Sequence, residues 1–418
     1  MKFKQIIYII GVIILDTKTQ CGLIKKLLDG LEKGKIDALS EFWRSVEAEQ
    51  TPLIEPIDGD SENMLVTVVW KDTGDIDRVS VIGEFFGFDT DENILNKIQD
   101  TDVWHRSYIC PNDVRSLYCF TINDEGVNDW DKIDKRIDSY NPNQYICPKD
   151  EEHPEKCALI SEIESVLEMP KAKEKIYIKE RDSIEKGNLE LYRFESKILN
   201  NSRRVWVYTP ANYDETEVYG MAIFFDGWEY INIIKAPTII DNLIADNLIQ
   251  PICSVFIESS DDRDNELTCH KPFIEFLTTE ILPWIYKGYS ITKDAQNIIL
   301  AGCSYGALAA SYGALIHSEK FGKVLGQSGG FSWKPEGEED GWIIREYEKS
   351  AKLPIDFYLD IGSFELRWPF VSKAIQEMTD VLYLKGYNLK YSIFTGGHVY
   401  LDWQDTLADG LVYLINKN

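Results

Sequence analysis

The chain reads as an α/β protein with a mostly parallel sheet covered by helices on both faces, preceded by an all-β, immunoglobulin-like sandwich. Three observations predict this. Beyond about residue 188, apolar strand-like runs alternate with helical segments, the pattern of a parallel sheet with crossover helices. Before about residue 130 there are short β-rich runs separated by Asp, Gly, Asn and Pro. Within the stretch beyond residue 188, an apolar run at 298–301 stops at a glycine-flanked serine and continues into small residues, Gly302-Cys303-Ser304-Tyr305-Gly306-Ala307.

Taken in order, residues 1–37 form an apolar and helical lead segment, with helical character around 23–49. Residues 38–130 are expected to form the sandwich. Its strands are 64–70, 78–83, 103–108 and 117–122, in which apolar and polar side chains alternate. Residues 131–187 are polar and carry Pro142, Pro148, Pro154 and Pro170, which reads as a connector. The second domain is expected over 188–418. Its strands are predicted at 204–209, 220–225, 252–257, 298–301, 324–329, 355–361 and 389–394. Helices are predicted at 234–248, 271–286, after Gly306 and up to about Lys385. This succession is the α/β-hydrolase pattern.

Composition narrows the classes. A chain of 418 residues, 44% hydrophobic and 12% aromatic, has room for two domains and a sizeable core. Its formal charge of −26 argues against nucleic acid and anionic membranes as partners, so any anion site must be local. The eight cysteines include no C-x-x-C pair, and a disulfide at Cys303 would block the serine turn, which together point to free thiols in a reducing compartment. Lys2 and Lys4 precede an apolar run at 6–15 that resembles a secretion signal and is too short to span a bilayer. Export is therefore the alternative location. His105 and His153 lack a second His or Cys at metal spacing, so neither a metal nor a cofactor is expected.

The serine turn carries the chemistry. Glycines two positions either side of Ser304 form a nucleophile elbow, which pushes the hydroxyl out at the sheet edge between strand and helix. A serine hydroxyl is a poor nucleophile at neutral pH and needs a base and an orienting group. His317 falls in the helix leaving the elbow. His398, after Thr395-Gly396-Gly397, follows the last strand and can aim back at the carboxyl edge. The acid is expected between serine and histidine, and Glu365, in the loop past Gly362, is preferred over Asp360 inside the strand. Asp402 and Asp405 read as solvated or capping groups. The oxyanion donors are expected to be the backbone N–H groups of Tyr305 and of Trp228, the latter after Phe224-Phe225-Asp226-Gly227.

Along roughly residues 38–418 the chain resembles the enterochelin (enterobactin) esterase family. The resemblance is carried by residues 199–206, Phe225-Asp226-Gly227, Arg263-Asp264-Asn265-Glu266-Leu267, the elbow, Val324-Leu325-Gly326-Gln327-Ser328-Gly329, and Gly396-Gly397-His398 followed by Trp403. Thr101-Asp102-Val103-Trp104 and Leu167-Glu168-Met169-Pro170 extend it to the amino-terminal part. It implies a cytoplasmic hydrolase that opens the trilactone of a catecholate siderophore and releases its iron. Ser304 would be nucleophile, His398 base, Glu365 acid, and Arg263 a contact to the anionic catecholate. Such a ligand, ferric or iron-free, needs a local basic pocket in this acidic chain, and Lys334 near Trp333 could supply charge and an aromatic wall. A feruloyl- or acyl-esterase acting on a carbohydrate-linked ester is the alternative. A silent binding protein is disfavoured by the intact Ser304, His398 and Glu365 set.

Overall fold

The computed structural model describes residues 21–74, 76–127, 130–154 and 160–416, so the apolar run at 6–15 lies outside the described residues. The chain has a mixed α/β fold and divides into two compact units. One runs to Glu174 and includes Thr395–Gly397; the other holds Lys175–Phe394 and the chain from His398.

In the first unit, α1 (Gly22–Glu32) and α2 (Ala38–Glu49) each place apolar side chains at helical spacing. Ile24 and Leu27, with Phe42, Trp43 and Val46, bury against Leu53, Leu65 and Val69. The strands are β1 (Leu53–Ile57), β2 (Asp60–Lys71), β3 (Val79–Gly83), β4 (Asn96–Lys97), β5 (Val103–Pro111), β6 (Arg115–Ile122), β7 (Asp134–Arg136), β8 (Gln144–Ile146) and β9 (Ile163–Glu168). They form two antiparallel sheets, ordered β1-β2-β5-β4 and β3-β6-β9-β8, with β7 on β6. Rings from the two sheets meet edge-on, Trp70 with Phe120 at 5.2 Å between centroids.

The expected connector therefore supplies three strands. Two have only three residues, too few to show alternation. The third, β9, buries Glu164 and Ser165 beside Leu167, which breaks the apolar signature. The Ser165 hydroxyl is used internally, accepting the Asp138 N–H at 2.8 Å.

The second unit opens on an antiparallel hairpin, β10 (Asn188–Ser196) and β11 (Asn201–Thr209). Next come β12 (Gly220–Phe224), α3 (Gly227–Asn232), α4 (Ala236–Ala245), β13 (Ile252–Ile257), α5 (Arg263–Leu267) and α6 (Lys271–Phe276). A π-helical turn joins α6 to α7 (Leu282–Gly288). The remainder is β14 (Ile298–Cys303), α8 (Tyr305–Ile316), β15 (Lys323–Gln327), α9 (Trp342–Lys349), β16 (Asp356–Gly362), α10 (Pro369–Leu384), β17 (Asn388–Phe394) and α11 (Tyr400–Ile415). The sheet order is β10-β11-β13-β12-β14-β15-β16-β17, parallel from β13 through β17.

Period-two side-chain alternation divides each central strand between two cores. Ile298 and Leu300 of β14 join Met221 and Ile223 of β12 under α5 to α10. Ile299 and Ala301 join Ala222 and Phe224 under α4 and α11. With both faces covered, only the strand ends and following loops can meet a ligand, and the parallel strands deliver Ser304, Ser328, Glu365 and His398 to the same carboxyl edge.

Candidate active site

At the end of β14, Ser304 adopts φ 54° and ψ −120°, a backbone region that non-glycine residues rarely occupy. The surroundings hold it there. Its N–H donates to Gln327 O at 2.9 Å, and its carbonyl accepts the Gly330 N–H at 2.9 Å. The two elbow glycines serve differently. A Cβ on Gly302 would lie 2.4 Å from the Gly306 carbonyl carbon, so strand and helix close on each other only without a side chain there. A Cβ on Gly306 would meet Asp226 Oδ2 at 3.5 Å and Phe225 Cβ at 3.7 Å, ordinary contacts.

His398 and Glu365 are brought together: Nδ1 lies 2.7 Å from Glu365 Oε2. The imidazole is about one-third exposed and the carboxylate buried. A carboxylate only accepts, so Nδ1 carries the proton and the lone pair of the neutral ring is on Nε2. Glu365 Oε1 accepts the Gly362 N–H at 2.8 Å and the Ser328 hydroxyl at 2.6 Å. Asp360, the alternative acid, is fully buried and has the Ser328 N–H at 3.1 Å as its neighbour instead of an imidazole. Burial pushes its carboxyl up to about 8.

Tyr305 and Trp228 both occupy first helical turns, of α8 and α3, where N–H groups have no carbonyl one turn back. Asp226, before α3, is left-handed at φ 54°. A Cβ on Gly227 would lie 2.7 Å from Ile257 N, so this loop lies directly against the end of β13.

The residues expected to contact ligand are placed as follows. Arg263 turns its fork onto buried Asp226, with Nε at 2.6 Å from Oδ1 and Nη2 at 2.7 Å from Oδ2, while Nη1 lies 3.4 Å from Asp264. Trp333 packs edge-on against Trp342 at 6.2 Å, in a turn closed by its N–H on Gly330 O. Lys334 Nζ lies 3.0 Å from Asp340 Oδ1, with its side chain half exposed. The Cys303 thiol is fully buried, and burial followed by the Asp226 charge pushes it well above its ordinary value, which makes it a poor nucleophile.

Sequence reasoning gave no role to Gln327, Ser328 or Trp403. Gln327 is buried, donates to Trp403 O at 2.8 Å and to Thr406 Oγ1 at 2.6 Å, and accepts the Tyr230 hydroxyl at 2.8 Å. Trp403 Nε1 donates to Ser328 Oγ at 2.9 Å, and its ring meets His398 edge-on at 5.1 Å. Their only sequence signal was membership in the stretches that carry the family resemblance. Among the described residues, no group of three or more His, Cys, Asp or Glu is placed to hold a metal. No described helix is long and apolar enough to cross a membrane.

Known proteins resemble this chain over much of its length. The iron(III) enterobactin esterase of Dickeya dadantii (strain 3937) is 25% identical, over 94% of this chain and 96% of its own. That of Escherichia coli (strain K12) is 29% identical over 53% and 56% of the two chains. The crystal structure of the Shigella flexneri enterobactin esterase in the presence of enterobactin aligns with a TM-score of 0.68 and 25% identity, covering 90% of this chain and 97% of that one. The Esterase family model matches residues 196–414, from the end of β10 to the last turn of α11, and so takes in every element that builds the elbow and its neighbours. The chain therefore belongs to the Esterase family of carboxylic ester hydrolases.

Proposed function

We propose that the chain is a serine esterase that hydrolyses the trilactone ester bonds of a catecholate siderophore such as enterobactin, ferric or iron-free, and so frees the metal. Similarity to iron(III) enterobactin esterases over nearly the whole chain supports the substrate class. We read the second unit as an α/β-hydrolase fold, from its strand order and the elbow after β14, and the first as a sandwich. Among the described residues, thiols such as Cys21, Cys110, Cys119, Cys253, Cys269 and Cys303 favour a reducing compartment, which we take to be the cytoplasm.

The observation that carries the mechanism is the 2.7 Å pairing of His398 with buried Glu365 on the strand edge that also bears Ser304. Ser304 Oγ attacks the ester carbonyl carbon while His398 Nε2 takes its proton. The carbonyl electrons move onto oxygen, where the N–H groups of Tyr305 and Trp228 stabilise the charge. Collapse breaks the acyl C–O bond, and the departing alkoxide takes the proton from His398. Water then repeats the sequence on the acyl-enzyme and restores Ser304. Glu365 orients the ring and balances the imidazolium. Arg263, already bidentate to Asp226, is assigned to holding the oxyanion loop, whereas Trp333 and Lys334 are assigned to the substrate side.

Incubation with ferric enterobactin, and separately with a feruloyl ester, tests the reading by chromatography of products. Release of dihydroxybenzoyl-serine species supports it. Rapid feruloyl release with an intact trilactone rejects it. Ser304→Ala is expected to lower the rate by on the order of 10³ to 10⁶.

A further inference from the structure

Three groups donate or pass a hydrogen bond to the Glu365 carboxylate, and only one of them is the histidine. Ser328 stands at the end of β15 with φ 48°, an uncommon backbone value for a residue with a side chain. Its N–H lies 3.1 Å from both the carbonyl and Oδ1 of Asp360, so the strained turn is held from the neighbouring strand. Ser328 Oγ is then 2.6 Å from Glu365 Oε1 and 2.9 Å from Trp403 Nε1.

The direction of this chain follows from valence. Indole N–H can only donate and a carboxylate can only accept, so the single serine proton must point at Glu365 and the serine lone pair at Trp403. With Gly362 N–H on the same oxygen at 2.8 Å, Oε1 is fully engaged, and Oε2 is left facing His398 Nδ1. Serine, indole and carboxylate are all buried, so water does not substitute for a lost donor at low cost.

We propose that Ser328 and Trp403 form a positioning relay, indole to hydroxyl to carboxylate, that fixes the rotamer of Glu365 and through it the orientation of His398. This rests on the reading of Ser304, His398 and Glu365 given above. The same indole also meets the imidazole edge-on, so Trp403 holds the acid and the base from one side chain.

Steady-state kinetics on enterobactin test the relay with Ser328→Ala, with Trp403→Phe, which keeps a ring and removes the N–H, and with the double variant. Ser328→Ala is expected to lower kcat about 10- to 100-fold with KM within about twofold, since a loosened acid affects the transition state more than ground-state binding. Trp403→Phe should lower kcat less. The double variant should fall no further than Ser328→Ala, because the groups act in series. The low-field proton resonance of the His398 Nδ1–H to Glu365 bond should move or broaden in Ser328→Ala, which loss of packing elsewhere would not produce. Unchanged kcat and resonance in a folded Ser328→Ala overturns the relay, as do losses that multiply in the double variant. If Ser328→Ala does not fold, Trp403→Phe with unchanged kcat and resonance overturns it. Ser304→Ala in the same assay separates the two failures. If it is inactive while Ser328→Ala is unaffected, only the relay falls; if it stays active, the serine mechanism falls with it.

Discussion

Asp360 and Glu365 carry the same functional group on one strand and the loop that follows it, yet their surroundings give them different work. Glu365 receives His398, Ser328 and Gly362, whereas Asp360 receives a backbone N–H and is pushed up to about 8 by burial. Glu365→Gln is therefore expected to lower kcat by on the order of 10³ or more, since an amide presents its N–H₂ or a weaker acceptor to the ring. Asp360→Asn should leave kcat within a few-fold in the same assay. The Asp360 carboxyl also links stability to pH. As pH rises from about 4 towards 8 the unfolded chain releases this proton while the folded chain keeps it. The contribution is thus full below the unfolded value of 3.8 and is lost by about pH 8. Urea unfolding at pH 5 and pH 8 should show wild type losing stability relative to Asp360→Asn as pH rises. No change in that difference would refute the buried titration.

At the scale of elements, the junction of β14 and α8 decides whether Ser304 is presented at all. Gly302→Ala is expected to cost about 1–3 kcal/mol in chemical unfolding and to lower activity, because its Cβ meets helix backbone that cannot yield as a side chain would. Gly306→Ala should be neutral or stabilising by up to about 1 kcal/mol, because its Cβ meets only ordinary contacts and alanine favours the helix. Equal losses at both positions would contradict this distinction between the two glycines. The junction between β15 and α11 depends on a similar close approach. A Cβ on Gly410 would lie 2.8 Å from Leu325 Cδ1, and Gln327 bonds to Trp403 O nearby, so α11 sits low enough for Trp403 to reach Ser328.

Across the whole molecule, the charge of −26 sets the electrostatic background against which the proposed anionic substrate would bind. Several cations are taken up internally: Arg203 pairs with Glu266 at 2.6 Å, Arg204 with Glu258 at 2.5 Å, and Arg263 with Asp226. Added salt should therefore act in two measurable ways. Between about 0.02 M and 0.3 M NaCl, Tm is expected to rise as self-repulsion is screened, and kcat/KM for ferric enterobactin is expected to rise with it. A fall in kcat/KM over that range would show that local attraction outweighs the repulsion of the molecule as a whole.

The sequence by itself determined what local pattern can encode. Alternation and apolar runs marked the main strands, the spacing of Gly302, Ser304 and Gly306 marked the elbow, and the order of Ser304, Glu365 and His398 marked the candidate chemistry. Strands β1, β4 and β10 were not marked, and among the strands missed β7, β8 and β9 escaped because they are short or bury polar side chains that are satisfied only in the folded chain. Tertiary structure alone supplied the 2.7 Å pairing of Glu365 with His398, turned Arg263 onto Asp226, and joined Ser328 to Trp403 across 75 positions of sequence. The reason is physical: hydrogen-bond partners are selected by which strand ends become neighbours in the sheet, and the spacing of residues along the chain does not contain that adjacency.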